Sequence, residues 1–232
     1  MPDTKVIDLS HHNTVPSSLQ STADAGVLGV IHKCTQGTGF VDKKVGARQY
    51  LTREAGMLWG LYHYLNPGKM IPQMDHFWDK AQTFGDEDTL LAVDFEENGI
   101  SLEDVVSAMD YLASISGRSP VLYTGHSLKD AGGALAQPAL LSYRLWLAQY
   151  SSKPILPAGY DSYWIWQFTD KGSIPGIEGN VDCNAYMETD AELSLEWSGR
   201  QIEEPEPASK LVMVTIQTPP GVEVKVVIED FK

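Results

Sequence analysis

Short runs of β-branched and aromatic residues alternate along most of the chain with longer stretches whose apolar positions recur every three or four residues. The short runs, at 5–9, 28–33, 58–64, 89–95, 120–124, 144–149, 163–168 and 181–185, predict eight strands. The stretches 43–56, 70–84 and 101–116 predict amphipathic helices. The last of these opens on Ser101 and Asp104, which suit a helix start, and closes at Gly117. Strands alternating with helices predict parallel pairing through crossover connections.

Several strands are apolar on both faces, as in Leu28-Gly29-Val30-Ile31 and Leu90-Leu91-Ala92-Val93. A sheet buried on both sides with a filled interior favours a barrel over an open sheet. The connections 150–162 and 169–180 are too short and too rich in Gly and Pro for full helices, so the expected fold is an α/β, irregular (β/α) barrel. Composition shifts at Glu203-Glu204-Pro205-Glu206-Pro207, which predicts a barrel domain over 1–199 and an acidic, proline-containing linker over 200–209. Over 210–232, two β-branched runs joined by Thr218-Pro219-Pro220-Gly221 predict a C-terminal β-hairpin. A lone hairpin is marginal in water, so its valine face is expected to pack on the barrel, on a second copy or on a virion or wall partner.

The 232 residues, 43% hydrophobic and 21% charged, suit one sizeable globular domain. Seventeen Lys and Arg against 31 Asp and Glu give a net charge of −14, which argues against nucleic acid or an anionic membrane as partner. Cys34 and Cys183 form no Cys-x-x-Cys pair, and neither a disulfide scaffold nor a structural zinc module is expected. No apolar run approaches the roughly 20 residues needed to span a bilayer. Residues 1–10 carry Asp3, Lys5 and Asp8 in place of a signal peptide's apolar core, so the expectation is synthesis in the cytoplasm without a secretion signal.

In Leu90-Leu91-Ala92-Val93-Asp94-Phe95-Glu96-Glu97 an apolar strand ends in acids. The two-residue period puts Asp94 and Glu96 on one face with Cα atoms roughly 7 Å apart, close enough for each charge to raise the other's pKa. The strand's carboxyl end is where β/α barrels place their sites. A bare Asp-x-Glu can equally cap a helix or sit solvated in a loop. However, Asp8 ends the first strand and Asp182 lies at the last, and these strands are neighbours in a closed barrel. Asp8, Asp94, Glu96 and Asp182 would then rim one mouth, a like-charge cluster that function or a cation must justify. Tyr62, Tyr64, Tyr123, Trp146, Trp164, Trp166 and Gln167 fall at the same strand ends, either as flat faces for sugar rings or as core.

These residues belong to a longer ordered set: Val6-Ile7-Asp8-Leu9-Ser10, His32-Lys33-Cys34-Thr35-Gln36-Gly37 with Phe40-Val41-Asp42, Gly60-Leu61-Tyr62-His63-Tyr64, and Asp94-Phe95-Glu96. It continues through Val121-Leu122-Tyr123-Thr124, Leu145-Trp146-Leu147-Ala148-Gln149-Tyr150, Trp166-Gln167-Phe168-Thr169 and Gly176-Ile177-Glu178-Gly179-Asn180-Val181-Asp182-Cys183-Asn184. From about 5 to 186 the chain resembles the glycoside hydrolase family 25 lysozymes, or muramidases, common among phage endolysins. The resemblance implies an incomplete β/α barrel and hydrolysis, with retention, of the β-1,4 bond between N-acetylmuramic acid and N-acetylglucosamine in peptidoglycan. It implies Glu96 as catalytic acid, Asp94 as its partner, and Asp8 and Asp182 as supporting acids. Tyr62, Tyr64, Tyr123, Trp146, Gln167 and Lys33 would bind substrate, with no cofactor and no metal. A phage lysin would reach the wall through a membrane pore or from a virion. Cys34, where similar sequences usually have Ala, Cys183 and the terminal hairpin depart from the pattern.

Three rival readings use the same residues. Asp8, Asp94, Glu96, Asp182 and His63 could ligate a metal in a metal-dependent hydrolase. Gly125-His126-Ser127 only faintly suggests a serine nucleophile, because Lys129 replaces the second glycine of the elbow, and it reads as a loop. A wall-binding or virion protein without turnover would bind peptidoglycan and release nothing.

Overall fold

The computed structural model describes residues 2–200; the linker and hairpin expected beyond Arg200 lie outside the described residues. The strands are β1 (Val6–Leu9), β2 (Gly29–Gln36), β3 (Phe40–Val41), β4 (Leu58–Tyr64), β5 (Leu90–Phe95), β6 (Val121–Thr124), β7 (Arg144–Ala148), β8 (Ile165–Gly172) and β9 (Val181–Ala185). Eight of them close a barrel in the order β1-β9-β8-β7-β6-β5-β4-β2, sealed by parallel pairing of β2 with β1. The ninth, β3, is a short hairpin partner on the end of β2 that the hydrophobic pattern does not signal.

The expectation of uniformly parallel strands needs one correction. Neighbours from β1 through β2 and β4 to β8 are parallel, but β9 runs antiparallel to both β8 and β1. The reason is the short connection between Gly172 and Val181: a parallel return needs a crossover of a dozen or more residues, whereas a reversed strand needs only a turn. Gly176, at φ 87, supplies backbone that most side chains avoid within that turn. The reversal brings the start of β9 to the mouth where the parallel strands end.

The helices are α1 (Gln20–Asp24), α2 (Val45–Glu54), α3 (Met70–Phe84), α4 (Leu102–Ser116), α5 (His126–Asp130) and α6 (Asp190–Glu196). At the start of α4 the Ser101 hydroxyl accepts from the Asp104 amide while the Asp104 carboxylate accepts from Ser101 N, a reciprocal cap. Gly117 ends the helix at φ 67. The long helices cover only part of the barrel. Between β6 and β7 stand α5 and two 3-10 turns, and the connections from β7 to β9 carry no helix, so the barrel is irregular as expected. Gly125-His126-Ser127, read as a loop, opens the five-residue helix α5.

The period of two sorts every strand into an inner and an outer face. Val6, Ile31, Leu90, Ala92, Val121, Tyr123, Trp146 and Ile165 pack inside the barrel, and Trp197 closes the base with its Nε1 donating to Trp59 O at 2.7 Å. Ile7, Val30, Leu91, Val93, Leu122 and Leu147 pack outward against the helices. Cys34 and Cys183 belong to this outer core, both buried and both free thiols, and burial pushes Cys34 up to about 12. Among the described residues no helix is long and apolar enough to cross a membrane.

Candidate active site

The inner faces of β1, β5 and β8 step upward from apolar to polar: Val6 to Asp8, Leu90 and Ala92 to Asp94, Ile165 to Gln167. The apolar residues fill the barrel, and the acids emerge where filling stops. Asp8 is the direct cross-strand partner of Asp182 on β9, and Asp94 stands between Tyr64 of β4 and Tyr123 of β6. A cavity of about 170 Å³ opens there, lined by Asp8, Tyr62, Asp94, Glu96, Tyr123, Trp146, Tyr150 and Asp182. All four acids expected at one mouth are therefore brought together.

Their environments differ. Asp94 is buried, and its Oδ1 accepts no hydrogen bond from the protein. Desolvation and then the charge of Glu96 hold its carboxyl well above the usual range, against a smaller opposing pull from Lys33. Glu96 is exposed at the rim. Partial desolvation raises its pKa and the Asp182 charge adds to this, while Tyr123, whose hydroxyl lies 3.5 Å from Oε1, works the other way. Asp8 is buried and also raised by desolvation, but Oδ2 accepts from Gln167 Nε2 at 2.9 Å and Asn184 Nδ2 at 2.8 Å. These donors favour its ionised form. Asp182, half-buried beside it, is raised to about 8 by desolvation, by the Asp8 charge and by donating to Asp8.

The amides are themselves held. Asn184 Oδ1 accepts from Trp146 Nε1 at 2.6 Å, and Gln167 Oε1 accepts from the hydroxyls of Tyr123 and Tyr150, each at 2.9 Å. Trp146 is buried and meets Tyr123 edge-on at a centroid distance of 4.5 Å, forming the floor of the cavity. Gln167 does not line the cavity; it orients Asp8 and two tyrosines. Tyr64 and Lys33 stand to one side. The Lys33 ammonium lies 4.6 Å over the Tyr64 ring and donates to Gln36 Oε1, and the Tyr64 hydroxyl donates to Glu97 at 2.9 Å.

Two aromatics expected at these strand ends lie elsewhere. Trp164 packs at the base against Trp197 and beneath Arg144, and Trp166 faces the outer core with its Nε1 bonded to Gln149 O. His63, a ligand in the metal reading, also faces outward, bonded to Thr35 Oγ1 at 2.7 Å and packed on Phe77. Among the described residues no group of three or more His, Cys, Asp or Glu is arranged to hold a metal. Two site residues went unassigned in the sequence. Tyr150 sits just past β7, at the end of Leu145-Trp146-Leu147-Ala148-Gln149-Tyr150, and its exposed ring lines the mouth. Asn184, two residues after Asp182 on the same strand face, could have been found by the period of two.

Residues 7–177 match the family described as Glycosyl hydrolases family 25. YegX of Escherichia coli O157:H7 is 29% identical over 167 residues, covering 69% of this chain and 60% of that protein. Lysozyme M1 of Streptomyces globisporus is 25% identical over 203 residues, covering 81% of this chain and 69% of that protein. The chain thus spans about 60% of the length of the first of these relatives. The bacterial lysozyme from Streptomyces coelicolor shares the fold at a TM-score of 0.73 and 24% identity, over 82% of this chain and 95% of that one.

Proposed function

The chain belongs to glycosyl hydrolases family 25, and on that premise we propose that it is a muramidase, hydrolysing the β-1,4 bond from N-acetylmuramic acid to N-acetylglucosamine in peptidoglycan with net retention. The observation that carries this reading is Asp94: a buried carboxyl with one unpartnered oxygen, next to the exposed acid Glu96, in a cavity of sugar-ring size.

Glu96, its pKa raised so that it can hold a proton, donates it to the glycosidic oxygen as the C1–O bond breaks. Carboxyls at alternate positions of one strand are poorly placed to attack opposite faces of a sugar. The nucleophile in this proposal is therefore the substrate's own 2-acetamido oxygen, which closes on C1 while Asp94 accepts the amide N–H. Glu96 then takes a proton from water, which opens the oxazolinium ring at C1 and restores the original configuration. Asp8, whose ionised form Gln167 and Asn184 favour, stabilises positive charge developing at C1, with the protonated Asp182 hydrogen-bonded beside it. Tyr62 and Tyr123 border the sugar, with Trp146 beneath. A covalent glycosyl–Asp94 adduct detected by mass spectrometry would replace the acetamido nucleophile with Asp94. The net charge of −14 gives no long-range attraction to an anionic wall, which supports a lysin acting from within.

The deciding experiment compares wild type with Glu96→Gln on purified peptidoglycan, with borohydride reduction of the new ends. Reduced muramic acid ends from wild type, lost in the variant, are expected. Reduced glucosamine ends would change the bond cut, and no release by wild type would favour a binding protein.

A further inference from the structure

Strand β5 ends at Phe95, one residue before the acid. Its last carbonyls point alternately to its two neighbours, as a ladder requires. Asp94 O accepts from Leu65 N on the β4 side at 3.0 Å, and Phe95 O accepts from Thr124 Oγ1 on the β6 side at 2.9 Å. An unbroken strand would return Glu96 O to the β4 side. It turns instead toward the segment that follows β6, where it accepts from the Ser127 hydroxyl at 2.8 Å. The backbone is therefore rotated at the acid itself, and a side-chain hydroxyl holds it there.

Ser127 reaches Glu96 because the chain turns at once after β6. A Cβ on Gly125 would lie 2.8 Å from Ala148 O, so only glycine lets this turn press against the end of β7. Helix α5 then starts at His126, and the half-buried Ser127 falls within reach of the Glu96 peptide. The rotation has a chemical consequence. A continued period of two would stack the Glu96 carboxyl straight above that of Asp94. With the turn, Asp94 is buried while Glu96 is exposed, at the boundary between the acid-lined cavity and a second one of about 170 Å³ that includes Gly125, His126 and Gln149. Among the described residues the Glu96 carboxyl accepts only from Tyr123, at 3.5 Å, so its own contact holds it weakly and the peptide behind it sets its place.

We propose that Ser127 is a positioning residue for the acid: by holding the Glu96 carbonyl it sets where the carboxyl meets the glycosidic oxygen. Ser127 lines neither cavity and so acts through Glu96, not on substrate. Its hydroxyl proton is directed at a backbone carbonyl instead of a base, which separates this role from that of a serine nucleophile. The proposal rests on the reading of Glu96 as general acid.

The leaving group's need for a proton provides the test. One substrate is a soluble hexasaccharide of alternating N-acetylglucosamine and N-acetylmuramic acid, whose departing sugar oxygen must be protonated. The other is the 2,4-dinitrophenyl β-glycoside of the N-acetylglucosaminyl-N-acetylmuramic acid disaccharide, whose phenolate leaves without a proton. Values of kcat/KM, which report the steps through bond cleavage, are compared for wild type, Ser127→Ala and Ser127→Thr. Ser127→Ala is expected to lower kcat/KM on the hexasaccharide about three- to tenfold, the scale of one hydrogen bond, through kcat with KM kept. It is expected to leave the dinitrophenyl glycoside unchanged, and Ser127→Thr, which keeps the hydroxyl, to recover the loss. Equal losses on both substrates, no loss on the hexasaccharide, or a loss that Ser127→Thr does not recover would overturn the positioning role while the muramidase reading stands. If wild type cleaved neither substrate, the muramidase reading would fail and the positioning role with it.

Discussion

Asp8 and Asp182 face each other across β1 and the reversed strand β9, and burial together with the Asp8 charge pushes the Asp182 carboxyl up to about 8. The two amide donors sit on Asp8, so Asp182 is the member that keeps the proton, up to about pH 8. In the unfolded chain the same carboxyl ionises near its ordinary 3.8. Between those values the folded state binds a proton that the unfolded state has lost, and stability contributed by this site falls as pH rises. Asp182→Asn removes that dependence. Relative to wild type, the variant is expected to gain thermal stability progressively from about pH 4 to about pH 8, read by melting temperature across a buffer series. A constant difference between the two proteins over that range would show that no proton is held there.

Asn184 joins three groups: it donates to Asp8 and to Val6 O and accepts from Trp146. Asn184→Leu takes one of its two amide donors from the buried Asp8 and leaves the Trp146 indole N–H without its acceptor. The expected cost is on the order of 3 kcal/mol in urea unfolding, with activity reduced roughly tenfold or more as Asp8 loses a donor that favours its charge.

Asp94 and Glu96 are expected to respond differently in stability although both are needed for turnover. At neutral pH the buried Asp94 is a cost to folding, because its ionisation is disfavoured by desolvation and by Glu96. Asp94→Asn should therefore melt at a higher temperature than wild type while losing most activity, the trade expected of a strained functional group. Glu96→Gln, at the exposed rim, should change melting less and lower kcat by about 10² to 10⁴, with wall binding retained. Melting curves and a reducing-end assay on the same preparations separate the two effects.

Incubation with EDTA followed by assay addresses the metal alternative directly. The proposed chemistry uses only carboxyls and the substrate's acetamide, so unchanged turnover is expected. Loss of activity restored by Mg²⁺ or Mn²⁺ would require a metal role for the acids.

The strands, their two faces and the ends at which acids emerge were legible along the chain because each depends on residues one or two positions apart. Val6 to Asp8 and Ala92 to Asp94 are inner-face neighbours whatever the rest of the molecule does. The reciprocal cap at Ser101 and the stop at Gly117 are equally local. What required the tertiary structure was every relationship between distant positions. Asp8 meets Gln167 and Asn184, 159 and 176 positions away, only once the barrel closes. Trp146 and Trp164 both lie in or beside aromatic strand segments, yet one floors the mouth and the other plugs the base, because height along the barrel depends on register between neighbouring strands. The reversal of β9 set which of its ends reaches the acids. Local period fixes the face a side chain takes, whereas barrel closure and register fix which faces meet.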